Sequence, residues 1–379
     1  MDGKHLRGST WDHPRAYEPL RWLATHAADL GIAPVDWQIR TLSNFADQSL
    51  DCLVRDNDLI VLDHPFIGQA AQEGLLLDLS SVAAPDSDFV GPSAQSYVWQ
   101  GRTYALPIDA ACHVAVTRPD LTEVTPNSLT WDEVEEWSSM QFACHGPYVS
   151  IPQAPIDLWC LLVTLLASQT SLALDGDRLA SVIQVAAAVE RIQHLAWLSN
   201  PVCRTYNPIE LLDHMSQHDD IIASPAIFGY VNYSIEGFRS HLLSFQGLPC
   251  GSRAILGGAG IAVSAFSADP ALSVSTVMKL TSSAVQCGWY ASHGGQPAHR
   301  AAWLDPKVDQ SANGFFSNTL DTIDRSFLRP RWPGFIEMSK RSSTVLKAAV
   351  DDRLDPVAVA NDLICIYSKS AKKRTEHTS

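Results

Sequence analysis

The sequence is poor in positive charge. Its 27 Lys and Arg are outnumbered by 41 Asp and Glu, which gives the 379 residues a formal net charge of -14. Binding to nucleic acid depends chiefly on clustered Lys and Arg, so no nucleic-acid partner is expected. The one locally basic stretch, KSAKKRTEHTS at 369–379, is interpreted as a solvated C-terminus.

Paired cysteines are also lacking. The eight cysteines stand singly along the chain, and no CxxC motif occurs. Several have apolar neighbours, as in DCLV and LICIY. This pattern favours buried free thiols in a reducing compartment over the disulfide framework of a secreted protein.

No long hydrophobic run or export signal is visible. The longest uncharged apolar stretch, at 158–174, is interrupted by Ser, Gln and Thr, so it predicts a buried helix and no membrane insertion. The first residues, MDGKHLRGSTW, contain no apolar segment or small-residue cleavage site. We therefore expect a cytoplasmic location, or a periplasmic or extracellular one if a signal has been removed.

Common cofactor and catalytic motifs are absent. The sequence contains no HExxH, no GKS/T and no GxSxG, and GGAGIA at 257–262 lacks the third glycine of a dinucleotide fingerprint. His214 and His218 have helical i, i+4 spacing but no third metal ligand, so they predict a polar helix face. No metal and no cofactor are expected.

The chain has ample material for a core. Hydrophobic residues make up 46% of it, and its length favours two domains. Its first part alternates between strand-like and helix-like segments, namely HLRGSTW (5–11), RAYEPLRWLATHAADLG (15–31), VDWQIRTL (35–42), FADQSLDCLVRD (45–56) and DLIVLD (58–63). This βαβαβ order predicts a parallel sheet.

The tripeptide Asp-His-Pro occurs twice, at 12–14 and 63–65. Both copies fall where a predicted strand passes into a helix, so Asp can cap the helix and Pro suits its first turn. Such turns line one edge of an open parallel sheet, where these folds bind ligands. The two tripeptides are therefore expected to face one crevice.

The predicted secondary structure of the remaining chain changes twice, from strand to helix and back to strand. Residues 101–121 predict a strand pair interrupted by Pro107, residues 130–234 are predicted to be mostly helical, and SRAILGGAGIAVSAFS at 252–267 predicts another strand. We place the crossings between two lobes near Pro107 and Gly257.

Five stretches resemble one family when they are taken in order: TWDHPRAYEPL, DLIVLDHPFIGQAAQEGLLLDLS, TYALPIDAACHVAVTRPDL, GGAGIAVSAFSADPALS and GGQPAHRAAW. They are similar to type II solute-binding proteins of bacterial ABC transporters, the sugar-type extracellular solute-binding proteins. The resemblance implies a two-lobed α/β periplasmic-binding-protein-like fold with hinge strands and an interlobe cleft. The N-terminal lobe would contain 1–108 plus 258–303, and the C-terminal lobe 109–257 plus 304–379.

The same resemblance implies a function. The cleft would bind a small polar organic solute, carbohydrate-like or hydroxylated, and an ABC permease would be a partner if the protein is exported. The alternative is a cytoplasmic enzyme on this fold, a cofactor-independent dehydratase or isomerase. In that case His13, His64 and Asp109 would move protons on the enclosed substrate.

The DHP turns supply most of the candidate solute contacts. His13 and His64 could bind a hydroxyl or carboxylate or exchange a proton, or they could only stabilise their own turns. Asp12 and Asp63 could contact the solute or simply cap the helices. Trp11, which precedes the first tripeptide, is included with them.

Other candidates lie farther along the chain. Arg15 could pair with an anionic ligand or form a surface ion pair of little consequence. Asp109 could bind sugar hydroxyls, act as a general base, or bond to hinge backbone N–H groups. The loop HGGQPAHRAAW and the aromatic stretch SPAIFGYVNYS add the remaining four, which are His293, Gln296, His299 and Tyr230.

Overall fold

The computed structural model describes residues 5–41, 50–169 and 179–376. The first residues of the helix predicted at 45–56 and the end of the apolar stretch at 158–174 lie outside these ranges. The chain divides into two compact units. The first contains 1–111, 256–317 and 331–333, and the second contains 112–255, 318–330 and 334–379.

Strands occur in both units. In chain order they are β1 (Leu6–Trp11), β2 (Val35–Arg40), β3 (Leu59–Leu62), β4 (Val98–Trp99), β5 (Arg102–Thr103), β6 (Leu106–Thr117), β7 (Tyr148–Val149), β8 (Ile221–Phe228), β9 (Ser244–Gln246) and β10 (Leu256–Val263). Two of the boundaries between the units fall inside β6, after Ala111, and directly before β10.

Helices make up most of the rest. They are α1 (Pro14–Thr25), α2 (Ala27–Leu30), α3 (Leu50–Asp56), α4 (Ile67–Gln72), α5 (Ser93–Ser96), α6 (Trp131–Ala143), α7 (Pro155–Gln169), α8 (Val182–Leu198), α9 (Pro208–Met215), α10 (Pro270–Leu280), α11 (Ser283–Val285), α12 (Arg300–Trp303), α13 (Pro306–Ser311), α14 (Phe315–Asp324), α15 (Phe335–Asp352) and α16 (Pro356–Glu376). Among the described residues, none of these helices is both long and apolar enough to cross a membrane.

The sheet of the first unit has the order β2-β1-β3-β10, followed by the first half of β6. β1 is parallel to both β2 and β3, and β10 is antiparallel to β3. The residues of β3 are buried on both faces, as its unbroken apolar sequence predicts. The parallel βαβαβ order expected for the start of the chain is confirmed.

The sheet of the second unit is built differently. The second half of β6 pairs antiparallel with β8 and β9, and β7 pairs parallel with β8. Helix α15 packs on α7, and α16 packs on α8. Thr130 and Ser181 begin α6 and α8 with capping boxes, in which side chain and backbone satisfy each other's hydrogen bonds.

Two local predictions were wrong. Pro107 does not interrupt a strand pair, because β6 runs unbroken through it and a proline is tolerated near the start of a strand. The stretch SPAIFGYVNYS, which closes the region expected to be mostly helical, is the end of β8 followed by a 3₁₀ turn. The helix predicted at 15–31 breaks at His26 into α1 and α2, and Gly31 ends α2 in the left-handed conformation.

The ends of the units differ from the predicted lobes. Asp109 lies in the first unit, because that unit extends to Ala111. Residues 304–317 also lie there, whereas the sequence assigned them to the C-terminal lobe. The rings of Phe315 and Phe316 lie 6.3 and 5.1 Å from the ring of Trp303, which holds this segment in the first unit. Helix α16 continues into the basic tail as far as Glu376, and residues 377–379 lie outside the described residues.

Candidate functional site

The candidate site begins where β1 and β3 end. Because the two strands are parallel, their carboxyl ends lie at the same edge of the first unit's sheet. Trp11 is the last residue of β1 and is buried in the core of this unit. The two Asp-His-Pro tripeptides follow directly after these strand ends, as predicted.

The two tripeptides do not act alike. At the first, His13 rather than Asp12 caps the helix, and its Nδ1 accepts the backbone N–H of Arg15 at 3.0 Å. Asp12 is exposed, and its backbone N–H donates to Arg40. At the second, a 3₁₀ turn begins at His64, and Asp63 stands before it without a side-chain cap bond. The imidazole of His64 is fully buried, with Nδ1 3.2 Å from Asp63 Oδ1.

Arg15 and Asp109 form the centre of the candidate site. Helix α1 carries Arg15 and β6 carries Asp109, and Arg15 Nη2 donates to Asp109 Oδ1 at 2.9 Å. Arg15 Nη1 donates to Gln296 Oε1 at 3.4 Å. The sequence offered a surface ion pair as the alternative role of Arg15, but this pair is buried: the two side chains are 5% and 0% exposed.

Both the side chain and the backbone of Gln296 form hydrogen bonds with Ala110 of β6. Its Nε2 donates to the carbonyl of Ala110 at 2.7 Å, and its backbone carbonyl accepts the N–H of Ala110 at 3.2 Å. The side chain of Gln296 therefore connects its loop to β6 and also accepts a hydrogen bond from Arg15. Hydrogen bonds of this kind position Arg15 and Asp109 relative to each other.

The two oxygens of Asp109 have different surroundings. Oδ1 accepts from Arg15, whereas the buried Oδ2 has no hydrogen-bond partner in the described part of the chain. Burial raises the pKa of Asp109 to about 6, although the charge and hydrogen bond of Arg15 oppose this and Asp63 adds to it. A buried carboxylate oxygen without a partner carries a desolvation cost, which a bound donor would offset.

Tyr290 belongs to the same surroundings and was missed by the sequence analysis. It is buried, and burial together with the charge of Asp109 raises its pKa well above the usual tyrosine value. It stands at the end of a π-helical turn, Gln286–Tyr290. The sequence QCGWY contains no pattern that identifies such a turn, so only the structure could find this residue.

Three predicted site residues have other contacts. The ring of His293 stacks on Trp22 with centroids 4.5 Å apart, and its Nδ1 lies 2.8 Å from the carbonyl oxygen of Trp289. His299 caps α12 through Ala301, and burial lowers its pKa. Tyr230 lies in the second unit, where its ring meets that of Tyr233 edge-on at 6.5 Å.

A second unusual carboxyl group was also missed. Asp157, in the first turn of α7 in the second unit, is 6% exposed, and its Oδ2 has no partner among the residues described. Burial raises its pKa to about 8, and the charge of Glu210 adds to this effect. In the sequence it stands directly before the apolar stretch at 158–174, which was interpreted only as a buried helix.

Metal ligands do not cluster in the described ranges, where no group of three or more His, Cys, Asp or Glu could hold an ion. The rings of His214 and His218 lie 4.4 Å apart, but α9 ends between them at Met215. His214 Nε2 lies 2.7 Å from Asp220 Oδ1, so this histidine belongs to a polar surface pair.

Comparison with known sequences gives no match: no protein-family model and no curated protein is similar to this chain. Solved structures do match. A solute-binding protein of an ABC transporter from Agrobacterium radiobacter K84, in complex with ribitol, is 17% identical with a TM-score of 0.78, and the match covers 97% of this chain and 99% of that one.

Two further structures agree. Maltose-bound MalE3 of T. maritima is 19% identical with a TM-score of 0.77, over 97% of this chain and 99% of that chain. A solute-binding protein from Agrobacterium vitis S4 with bound D-mannitol is 15% identical with a TM-score of 0.77, over 97% and 98%. The fold expected from the sequence is therefore confirmed: this chain has the type II fold of the solute-binding proteins of ABC transporters.

Proposed function

We propose that the protein binds a small, polar, hydroxylated solute at the Arg15–Asp109 pair of the first unit. The observation that carries this proposal is the buried Oδ2 of Asp109, which has no hydrogen-bond partner among the described residues and lies beside the guanidinium that already donates to Oδ1. A solute hydroxyl is a suitable donor for this oxygen. Proteins of the same fold have been solved with ribitol, maltose and D-mannitol, which supports a solute of this class.

The arrangement favours polar solutes over apolar ones. Gln296 and His13 hold the elements that carry Arg15, so the ion pair is preorganised before a solute arrives. A ligand that cannot donate to Asp109 Oδ2 leaves the desolvation cost of that oxygen in place. We expect apolar molecules of equal size to bind much more weakly.

A thermal-shift screen tests the proposal. Ribitol, D-mannitol, maltose and related polyols and sugars are added to the wild-type chain, because a solute at 100 times its dissociation constant stabilises the folded state by about 2.7 kcal/mol. Hits are titrated against wild type, Asp109→Leu and the control Asp36→Asn, whose side chain is 71% exposed. Binding that survives in Asp109→Leu would contradict the assignment of the site.

A second candidate function is proton transfer on the bound solute. It is favoured by the pKa of Asp109, which at about 6 lies close to neutral pH, as a general base requires. Dehydration or isomerisation would then follow binding. Proton NMR of each solute that binds, incubated with wild type and with Asp109→Asn, would detect turnover. An unchanged solute spectrum with both proteins would contradict proton transfer and leave binding as the only function supported.

We also propose that the partner and the location of the protein depend on which of the two functions it has. A solute-binding protein of an ABC transporter would deliver its solute to a permease outside the cytoplasm, whereas an enzyme of this fold would work inside it. Cell fractionation with an antibody against the native protein distinguishes the two. Recovery with the periplasmic or extracellular fraction supports delivery to a permease, and recovery with the cytoplasm supports the enzyme.

A further inference from the structure

The surroundings of Asp109 are unsuited to a permanent negative charge. The side chain is fully buried, and within the described residues the bond from Arg15 is the only hydrogen bond that its carboxyl group accepts. The charge and hydrogen bond of Arg15 do not offset the effect of burial on the pKa of Asp109, which is raised to about 6. At mildly acidic pH, the protonated form is therefore well populated in the solute-free protein.

The charged and titratable groups that act on Asp109 come from three other elements. Arg15 of α1 favours the carboxylate, and Asp63, which follows β3, disfavours it. Tyr290 of the π-helical turn is neutral, because its own pKa is raised well above the usual value. Gln296, on the loop beside β6, is uncharged and reaches Arg15 rather than Asp109.

We propose that solute binding is coupled to the release of a proton from Asp109. This inference rests on the proposed function. A hydroxyl that donates to Oδ2 gives the carboxylate a second hydrogen bond, and hydrogen bonds to the charged form favour that form. The solute therefore binds to the ionised carboxyl group, and the proton passes to the solvent.

The coupling makes the affinity for solute depend on pH. A proton and the solute compete for Asp109, so affinity falls as pH decreases through the pKa of the solute-free protein. With that pKa at about 6, affinity should be about tenfold weaker near pH 5 than near pH 7.5. If the neutral acid instead donated its proton to a solute oxygen, affinity would change in the opposite direction.

The proton on Asp109 can be observed without any solute. The infrared difference spectrum between wild type and Asp109→Asn, recorded near pH 5 and near pH 8, should show a protonated carboxyl band at the lower pH that is lost at the higher pH. The exposed control Asp36→Asn should show no such buried carboxyl band. A carboxylate that stays ionised at both pH values would overturn the proposal, whether or not a solute is known.

Calorimetric titration with ribitol, D-mannitol and maltose completes the test. Each is measured near pH 5, 6 and 7.5 in two buffers with different ionisation enthalpies, which reports the protons released. Net release near pH 5, with affinity falling about tenfold below its value near pH 7.5, supports the proposal. Asp109→Asn should bind more weakly, with an affinity independent of pH, whereas Asp36→Asn should behave as wild type.

The outcomes separate the two proposals. Binding that is independent of pH and releases no proton overturns the coupling and leaves the proposed function intact. If none of the three probes binds to the wild type, the proposed function fails for this class of solute and the coupling fails with it. Since the calorimetric readout uses the wild-type protein, it decides the question even if Asp109→Asn does not fold.

Discussion

The guanidinium of Arg15 lies 2.9 Å from Asp109 Oδ1, and neither side chain is more than 5% exposed. Removing one partner of a buried pair leaves the other charge uncompensated, which typically costs about 3–5 kcal/mol. We expect Arg15→Met to lose this much free energy of unfolding near pH 8, as measured by urea denaturation. The double variant Arg15→Met/Asp109→Leu should recover most of the loss, and simple additivity of the two single losses would contradict the pairing.

His13 can be tested as a helix cap separately from its proposed contact with solute. His13→Ala removes the acceptor for the Arg15 N–H and should cost about 1 kcal/mol of stability, whereas His13→Ser keeps a cap oxygen and should cost little. If the imidazole also contacts the solute, both variants should bind it more weakly. Wild-type affinity in His13→Ser would assign this residue to capping alone.

Gly258 is required where β10 passes β6. Its φ is +92°, and an added Cβ would lie 2.5 Å from the carbonyl oxygen of Asp109 and 2.8 Å from Ala110 Cα. We expect Gly258→Ala to lose clearly more stability than Gly74→Ala. Gly74 also has a positive φ but has open space around it, so its substitution should cost roughly 1–2 kcal/mol. Equal losses in thermal denaturation would argue against close backbone packing at Asp109.

Asp157 predicts a pH dependence of stability. Its pKa is raised to about 8, so the folded state holds a proton that the unfolded chain releases near pH 4. The free energy of unfolding should therefore fall as pH rises from about 4 to about 8. Asp157→Asn should flatten this slope and be more stable than wild type at pH 8. Glu210→Gln, which keeps the capping box of α9, should flatten it only slightly.

The cysteines predict a two-stage thiol titration. All eight are free in the structure, as the sequence indicated, but Cys52, Cys144, Cys250 and Cys365 are exposed rather than buried. These four should react with a thiol reagent in the native protein. The buried thiols, including Cys112, whose pKa is raised by burial, should react only after unfolding. Recovery of fewer than eight thiols without reductant would indicate oxidation.

Local patterns in the sequence determined much of the first unit. The apolar run of β3 and the alternation of strands and helices before it specify a parallel sheet, because each segment carries its own periodicity and its own turn residues. The placement of both Asp-His-Pro tripeptides at one edge follows from this order alone. The resemblance in five stretches identified the fold, which the structural comparisons confirm.

The contacts of the site were decided only by the tertiary structure. The sequence around Arg15 does not indicate that it pairs with Asp109, ninety-four residues farther along the chain on β6. It also does not indicate the hydrogen bond from Arg15 to Gln296, which lies on a loop still farther along. The same holds for Tyr290 and Asp157, because a pKa depends on burial, and burial depends on which elements pack together. The sequence determined which residue types stand at this edge, and long-range packing decided that Asp109 is buried and pairs with Arg15, because that contact joins two elements far apart in the chain.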